Sequence, residues 1–171
     1  MIAELEQEIV DWLAAWLPDR RVQAFPDDPG RFDFARGARC GLVLVRWNGG
    51  QYGRPRDTAA GHQDREIEWA ISVIATGLRD HTGIYPILEA TRDGLAGWAP
   101  RGGGGVRPVS EGFVAQQGNV WRYELVVTMT LPYVPPAQDE PPLADGITKL
   151  TIEDADRDVL AQHTWESETN E

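Results

Sequence analysis

Residues 118–134 read GNVWRYELVVTMTLPYV. The Gly-Asn pair that opens them favours a tight turn. Trp121, Tyr123, Leu125, Val127, Met129 and Leu131 then recur at every second position. That period places one apolar face along a long strand; a helix would scatter the same residues around its axis. A strand this apolar needs partners. Ile67, Trp69, Ile71 and Val73 alternate with Glu66, Glu68 and Ser72, which predicts a second half-buried strand. CGLVLVRW at 40–47 is a short apolar run and reads as a buried strand. RVQAF at 21–25 is a short strand closed by Pro26, and PDDPG at 26–30 is a turn. Val106 to Ala115 forms another strand, broken at Pro108.

Two segments follow the helical period instead. Ile2, Leu5, Ile9, Leu13 and Trp16 make one stripe over residues 2–17, with Trp12 and Leu17 beside it. Glu4, Glu6 and Glu8 load the early turns, where the helix dipole favours anions. Pro18 stops this helix. In GIYPILEATRDGLAGWAPRGGGG at 83–105, Ile84, Ile87, Leu88, Leu95 and Trp98 fall near helical spacing, with Thr91 on the same side. Gly94 is a poor helix residue, costing about 1 kcal/mol against alanine. Gly97 suits the end of the helix and Pro100 forbids its continuation. The expected fold is α+β: a mainly antiparallel sheet, 120–131 paired with 66–75, and two helices on one face.

NGGQYGRPRDTAAGHQ at 48–63 has no period and reads as a long loop carrying Arg54 and Arg56. After Tyr133 the composition changes. PPAQDEPPLADG is a proline-rich acidic linker, ITKLTI at 147–152 a short alternating piece, and the remainder an acidic tail. The expected division is a domain over 1–134 and an extended arm over 135–171. Ile147, Leu150 and Ile152 give that arm apolar anchors suited to strand addition.

The totals narrow the function classes. The chain has 171 residues, 42% hydrophobic and 25% charged, which suits one domain with a real core. Its net charge of -11 disfavours gripping nucleic acid or anionic lipid. No apolar stretch approaches the roughly 20 residues of a membrane span. The acidic start MIAELEQEIVDW lacks the basic region of a secretory signal. A single cysteine excludes an internal disulfide.

Tests for chemistry find no site. The four glycines at 102–105 follow a helix and lead to Val106, Arg107 and Pro108, whereas a phosphate loop needs Lys and Ser or Thr opening a helix. Asp154, Asp156 and Asp158 alternate like calcium ligands, but Val159 and Trp165 stand where Gly and Glu are required. His62, Asp64 and Glu66 alternate beside a strand, where charged residues ordinarily face water. Ser110 lacks a nucleophile-elbow context, and Cys40 reads as a small core residue. Tryptophans 12, 16 and 69 sit on core-like faces. Trp47 and Trp121 border loops and are the better interface candidates. The expectation is therefore no catalytic, cofactor or metal residue, and contact residues among Trp47, Arg54, Arg56, Trp121, Ile147, Leu150 and Ile152.

The order of segments resembles the tail terminator (tail-completion) proteins of long-tailed bacteriophages, the Mu-like contractile-tail branch above all. IAELEQEIVDWLAAWLP with RVQAFP, the helix YPILEATRDGLAGWAPRG and the strand GNVWRYELVVTMTLPYV carry the resemblance. Tyr85, Leu88, Ala90, Arg92, Leu95, Gly97 and Trp98 match that family's pattern on its second helix, and Trp121 and Tyr123 its aromatic-x-Tyr. The match covers about residues 1 to 134. It implies a virion tail protein assembled in the host cytoplasm and acting without enzymatic activity or cofactor. It implies a homo-oligomer, a hexameric ring that caps the tail tube, ends tail polymerisation and meets the sheath and the head-tail connector. DNA would pass through without specific binding, and no membrane is involved. A head-completion connector ring and a small hydrolase with scattered catalytic residues are the alternatives. Ring symmetry separates the first, and a nucleophile–base pair in space the second.

Overall fold

The computed structural model describes residues 1–55 and 62–135, and the backbone of two short strands beyond them. In chain order the elements are α1 (Ile2–Trp16), β1 (Arg21–Ala24), α2 (Phe34–Ala38), β2 (Leu42–Tyr52), β3 (Gln63–Thr76), α3 (Ile84–Leu95), β4 (Arg107–Gln117), β5 (Val120–Tyr133), β6 (Lys149–Glu153) and β7 (Val159–Thr164). The first five strands form one sheet in the order β1-β2-β3-β5-β4. Every pairing in it is antiparallel except β1 with β2. The architecture is α+β. The central pair sets Ile67 opposite Met129, Trp69 opposite Val127 and Ile71 opposite Leu125.

Strict alternation on β3 and β5 decides which face is covered. Ile67, Trp69, Ile71, Val73, Leu125, Val127 and Met129 join Leu5, Ile9, Leu13, Ile84, Ile87 and Leu95 in one core. Helices α1 and α3 therefore lie on the same side of the sheet and touch each other. The apolar stripes of both helices are used there. Thr91 is fully buried in α3 without loss, because its hydroxyl donates to the Ile87 carbonyl at 2.7 Å. A smaller cluster on the other face, Ala38, Leu42, Leu44 and Ile74, is packed with Phe25, Phe32 and Phe34.

Four features depart from the sequence reading. Strand β2 runs through Asn48, Gly49 and Gly50 to Tyr52, so the loop expected from 48 begins later. The glycines make a bulge rather than a break: the register shifts between Trp47 and Gly49, and Gly49 has φ 151°, open to glycine but not to other residues. Helix α2 was not expected; Asp33 caps it, its carboxylate accepting from the Arg36 amide at 2.9 Å. The acidic tail contains β7, which pairs antiparallel with β6. Cys40 is exposed, not in the core. The chain divides into two compact units, Met1–Pro135 and Pro136–Glu171.

Trp12 and Trp16 also differ from expectation. They share the stripe of Ile9 and Leu13 but stand at its border, 37% and 50% exposed. Their ring nitrogens donate to α3 carbonyls, Trp12 to Gly94 at 2.7 Å and Trp16 to Ala90 at 3.0 Å. This explains Gly94. A Cβ at that position would stand 2.5 Å from Trp16 Cδ1. The helix gives up alanine-like propensity so that an indole can lie flat on it. Gly94→Ala is expected to lower stability by about 1 kcal/mol or more, because overpacking outweighs the propensity gain. Urea melts and Trp emission check this: a more stable variant with unchanged emission contradicts it.

Candidate interaction surface

Helix α3 runs beside β4 and β5, and a shallow groove of about 230 Å³ lies between them. Tyr85, Leu88, Glu89 and Arg92 line it from α3, Glu111 and Gly112 from β4, and Tyr123 from β5. The three- and four-residue spacing of Tyr85, Leu88, Glu89 and Arg92 puts them on one side of the helix. Arg92 reaches both Glu111 oxygens at 3.0 and 3.1 Å, a forked pair that ties the helix to the edge strand. Tyr85 stands nearly perpendicular to Tyr123, centroids 6.0 Å apart. The Tyr123 phenol is raised above its ordinary value, first by donating its proton in a hydrogen bond to Tyr85 and then by burial. Phe113 extends the ring cluster, 5.7 Å from Tyr123 and 6.1 Å from Trp121.

Strand β4 itself is unusual. Among the described strands it pairs with β5 alone, and all eleven of its residues are exposed. Val109, Phe113 and Val114 are apolar and open to solvent. A long unpaired edge with apolar side chains is a template for adding a strand from another chain. Residues 106–115 were expected to form a strand, but not one this exposed, since an edge strand with two bulges loses clean alternation.

Beyond the cluster under α2, the sheet face away from α1 and α3 is polar and internally paired. Glu66 accepts from Arg107 at 3.1 Å and from Thr128 at 3.0 Å. Glu124 lies 3.6 Å from Arg46 and 3.5 Å from Arg122. The structure does not bring His62, Asp64 and Glu66 together as a ligand set: among the described residues no group of three or more His, Cys, Asp or Glu could hold a metal. Ser110 is exposed on β4. No described helix is long and apolar enough to cross a membrane.

Of the residues expected to make contacts, Trp47 and Trp121 stand apart on the sheet. Trp47 lies on β2, 41% exposed, its indole donating to the Gly49 carbonyl at 2.7 Å. The Trp47 backbone also bonds Glu6, whose carboxyl is pushed up by burial, held back by that bond and raised again by Asp27. Trp121 sits at the other end of the sheet: it pairs with Ala75, whereas Trp47 pairs with Trp69. Arg54 is exposed just beyond β2. Arg56 and Ile147 lie outside the described residues, and Leu150 and Ile152 belong to β6. Sequence reasoning missed the row of Trp12, Trp16 and Trp98. The rings of Trp12 and Trp98 stack at 5.4 Å and those of Trp12 and Trp16 at 6.5 Å. The only signal was the four-residue spacing of Trp12 and Trp16.

Comparison with known proteins places this geometry in a family. The pattern of the family described as "Gp37 protein" matches residues 9–154, from within α1 to just past β6. No curated protein matches. A chain in the solved structure titled "Virion of native gene transfer agent (GTA) particle" is similar at 17% identity. The alignment covers 71% of this chain and 84% of that one, with a TM-score of 0.42.

Proposed function

The chain belongs to the Gp37 protein family, and from that premise we propose that it is a structural protein of a phage-like particle, a tail terminator. In this reading it forms a ring, six-fold in symmetry, on the last disc of the tail tube. It stops polymerisation there and presents its other face to the head-tail connector. The Mu-like contractile-tail branch supplies the expected neighbours, a tube and a sheath, and assembly takes place in the host cytoplasm. DNA passes through the ring, whose net charge of -11 suits a surface that must not hold it.

The observation that carries the reading is the groove beside α3. Tyr85, Leu88 and Arg92 belong to the helix pattern that resembles tail terminators, and Tyr123 to the strand pattern. They line one surface feature. Motifs distant in sequence and adjacent in space are what a shared assembly surface requires. Trp47, Trp121, Arg54 and Arg56 are the further contact residues of this reading. The arm over 135–171, with Ile147, Leu150 and Ile152, docks on a neighbouring subunit.

Loss of the chain from a particle-producing host tests this. The expected result is tubes of uncontrolled length and heads without joined tails. Normal particles in its absence contradict the reading, and a twelve-fold ring at the head vertex assigns the chain to the connector instead.

A further inference from the structure

Arg65 is the one charged residue that is buried among the described residues, 8% exposed on β3. It stands level with Tyr52 and Leu131, two positions before Ile67, on the sheet face that α1 and α3 cover. Its acidic neighbours Asp64 and Glu66 alternate to the other face, where Glu66 accepts from Arg107 and Thr128. Arg46, Arg92, Arg107 and Arg122 each reach a carboxylate. Among the described residues none pairs with Arg65, and its Nε is enclosed without a hydrogen-bond partner. What it has is a ring: the guanidinium lies 5.3 Å from the centre of Tyr52. Gly50 makes room for it. A Cβ there would stand 3.4 Å from Nε and 3.7 Å from Nη2, so β2 passes the guanidinium with bare backbone.

A guanidinium keeps its charge at any pH the protein meets. Enclosing that charge costs more than contact with one ring returns. An apolar side chain would fill the same row without the cost. The residue is accounted for when its counter-ion comes from outside the fold. Its surroundings fit that role. Tyr52 is 52% exposed, and the half-buried Tyr133 meets it edge to face at 5.2 Å. Arginine among tyrosines is the composition of interface hot spots.

We infer that Arg65, with Tyr52 and Tyr133 beside it, receives a carboxylate of a second copy of the chain. The contact rests on the ring-forming reading above and is one of its interfaces. Charge decides the occupant. The chain carries 27 acids against 16 lysines and arginines, so each copy has carboxylates to spare. A nucleic-acid backbone presents a row of phosphates and asks for a row of cations. Arg65 stands singly, with Asp64 and Glu66 on either side of it in the strand. One carboxylate can take a planar guanidinium by two parallel bonds. The patch that gives the arginine and the patch that gives the acid are unlike. Such a contact is heterologous, and when its rotation closes it makes a ring.

Thermal melting of the dilute full chain and sedimentation velocity over a concentration series test this, on wild type, R65M and R65K. Wild type is expected to self-associate. R65M should melt about 2 °C higher or more when dilute, because the uncompensated charge is gone. It should also associate about tenfold more weakly or worse. R65K keeps the charge without the fork and should recover part of the affinity. A merely structural arginine would move both readings down together. R65M that melts lower than wild type shows a guanidinium already satisfied within the chain and overturns the inference. R65M that associates like wild type overturns it too, as does R65K no better than R65M. A wild-type chain monomeric at about 100 µM also overturns it. Capping of tail tubes separates the two levels: variants that cap like wild type leave the ring reading standing without this contact. A wild type that neither associates nor caps removes both.

Discussion

Trp69→Ala should remove a large share of the chain's stability. Trp69 is fully buried at the middle of β3, the central strand of the sheet. It stands between Trp47 on β2 and Val127 on β5 and under the helical layer. Removing so large a ring costs about 3–5 kcal/mol in transfer and cavity terms. A domain of this size holds about 5–15 kcal/mol in total. Trp69→Phe is the control. The indole nitrogen is buried without a partner, so phenylalanine removes an unsatisfied donor while opening a smaller void. Its expected cost is about 1.5 kcal/mol or less. Urea unfolding of the three proteins measures both. An alanine variant as stable as wild type contradicts the placement of the core.

Removing residues 136–171 should abolish ring assembly and leave a folded monomer. The chain divides at Pro136, and the Met1–Pro135 unit contains the whole five-stranded sheet. The thermal midpoint should therefore change by no more than about 2 °C. Strands β6 and β7 pair with each other and leave two outer edges, and β4 offers an exposed edge of eleven residues. In the proposed ring, edge joined to edge between neighbours would supply the clasp. A truncated chain that still forms rings of unchanged stability shows that the arm is not one.

Much of the fold was legible because burial imposes a period. Strands β3 and β5 each press one face against α1 and α3, so every second residue had to be apolar. The two long helices showed the stripe that meets this face. Where burial imposes no such filter, reading failed. The bulge at Gly49 uses the same residue type as a loop, so β2 appeared to end early. Helix α2 is five residues long, too short to show a period. Strand β7 sits among acids. Trp12 and Trp16 fall on the same stripe as Ile9 and Leu13, and spacing alone does not tell the centre of a stripe from its border. Gly94 shows the same limit from the other side: a weak helix residue in sequence is, in space, the seat of an indole. The groove residues were picked out by their family resemblance, not by their chemistry. Tyr85, Arg92 and Tyr123 form no recognisable catalytic spacing, and only the packing of α3 against β4 and β5 joins them.

The most direct test is to polymerise the tube protein of the parent particle with and without the purified chain, and to image the products by electron microscopy. The account predicts short tubes of narrow length distribution, each carrying a six-fold ring of this protein on one end. Tubes that grow to the same lengths in its presence, with no ring at either end, contradict it.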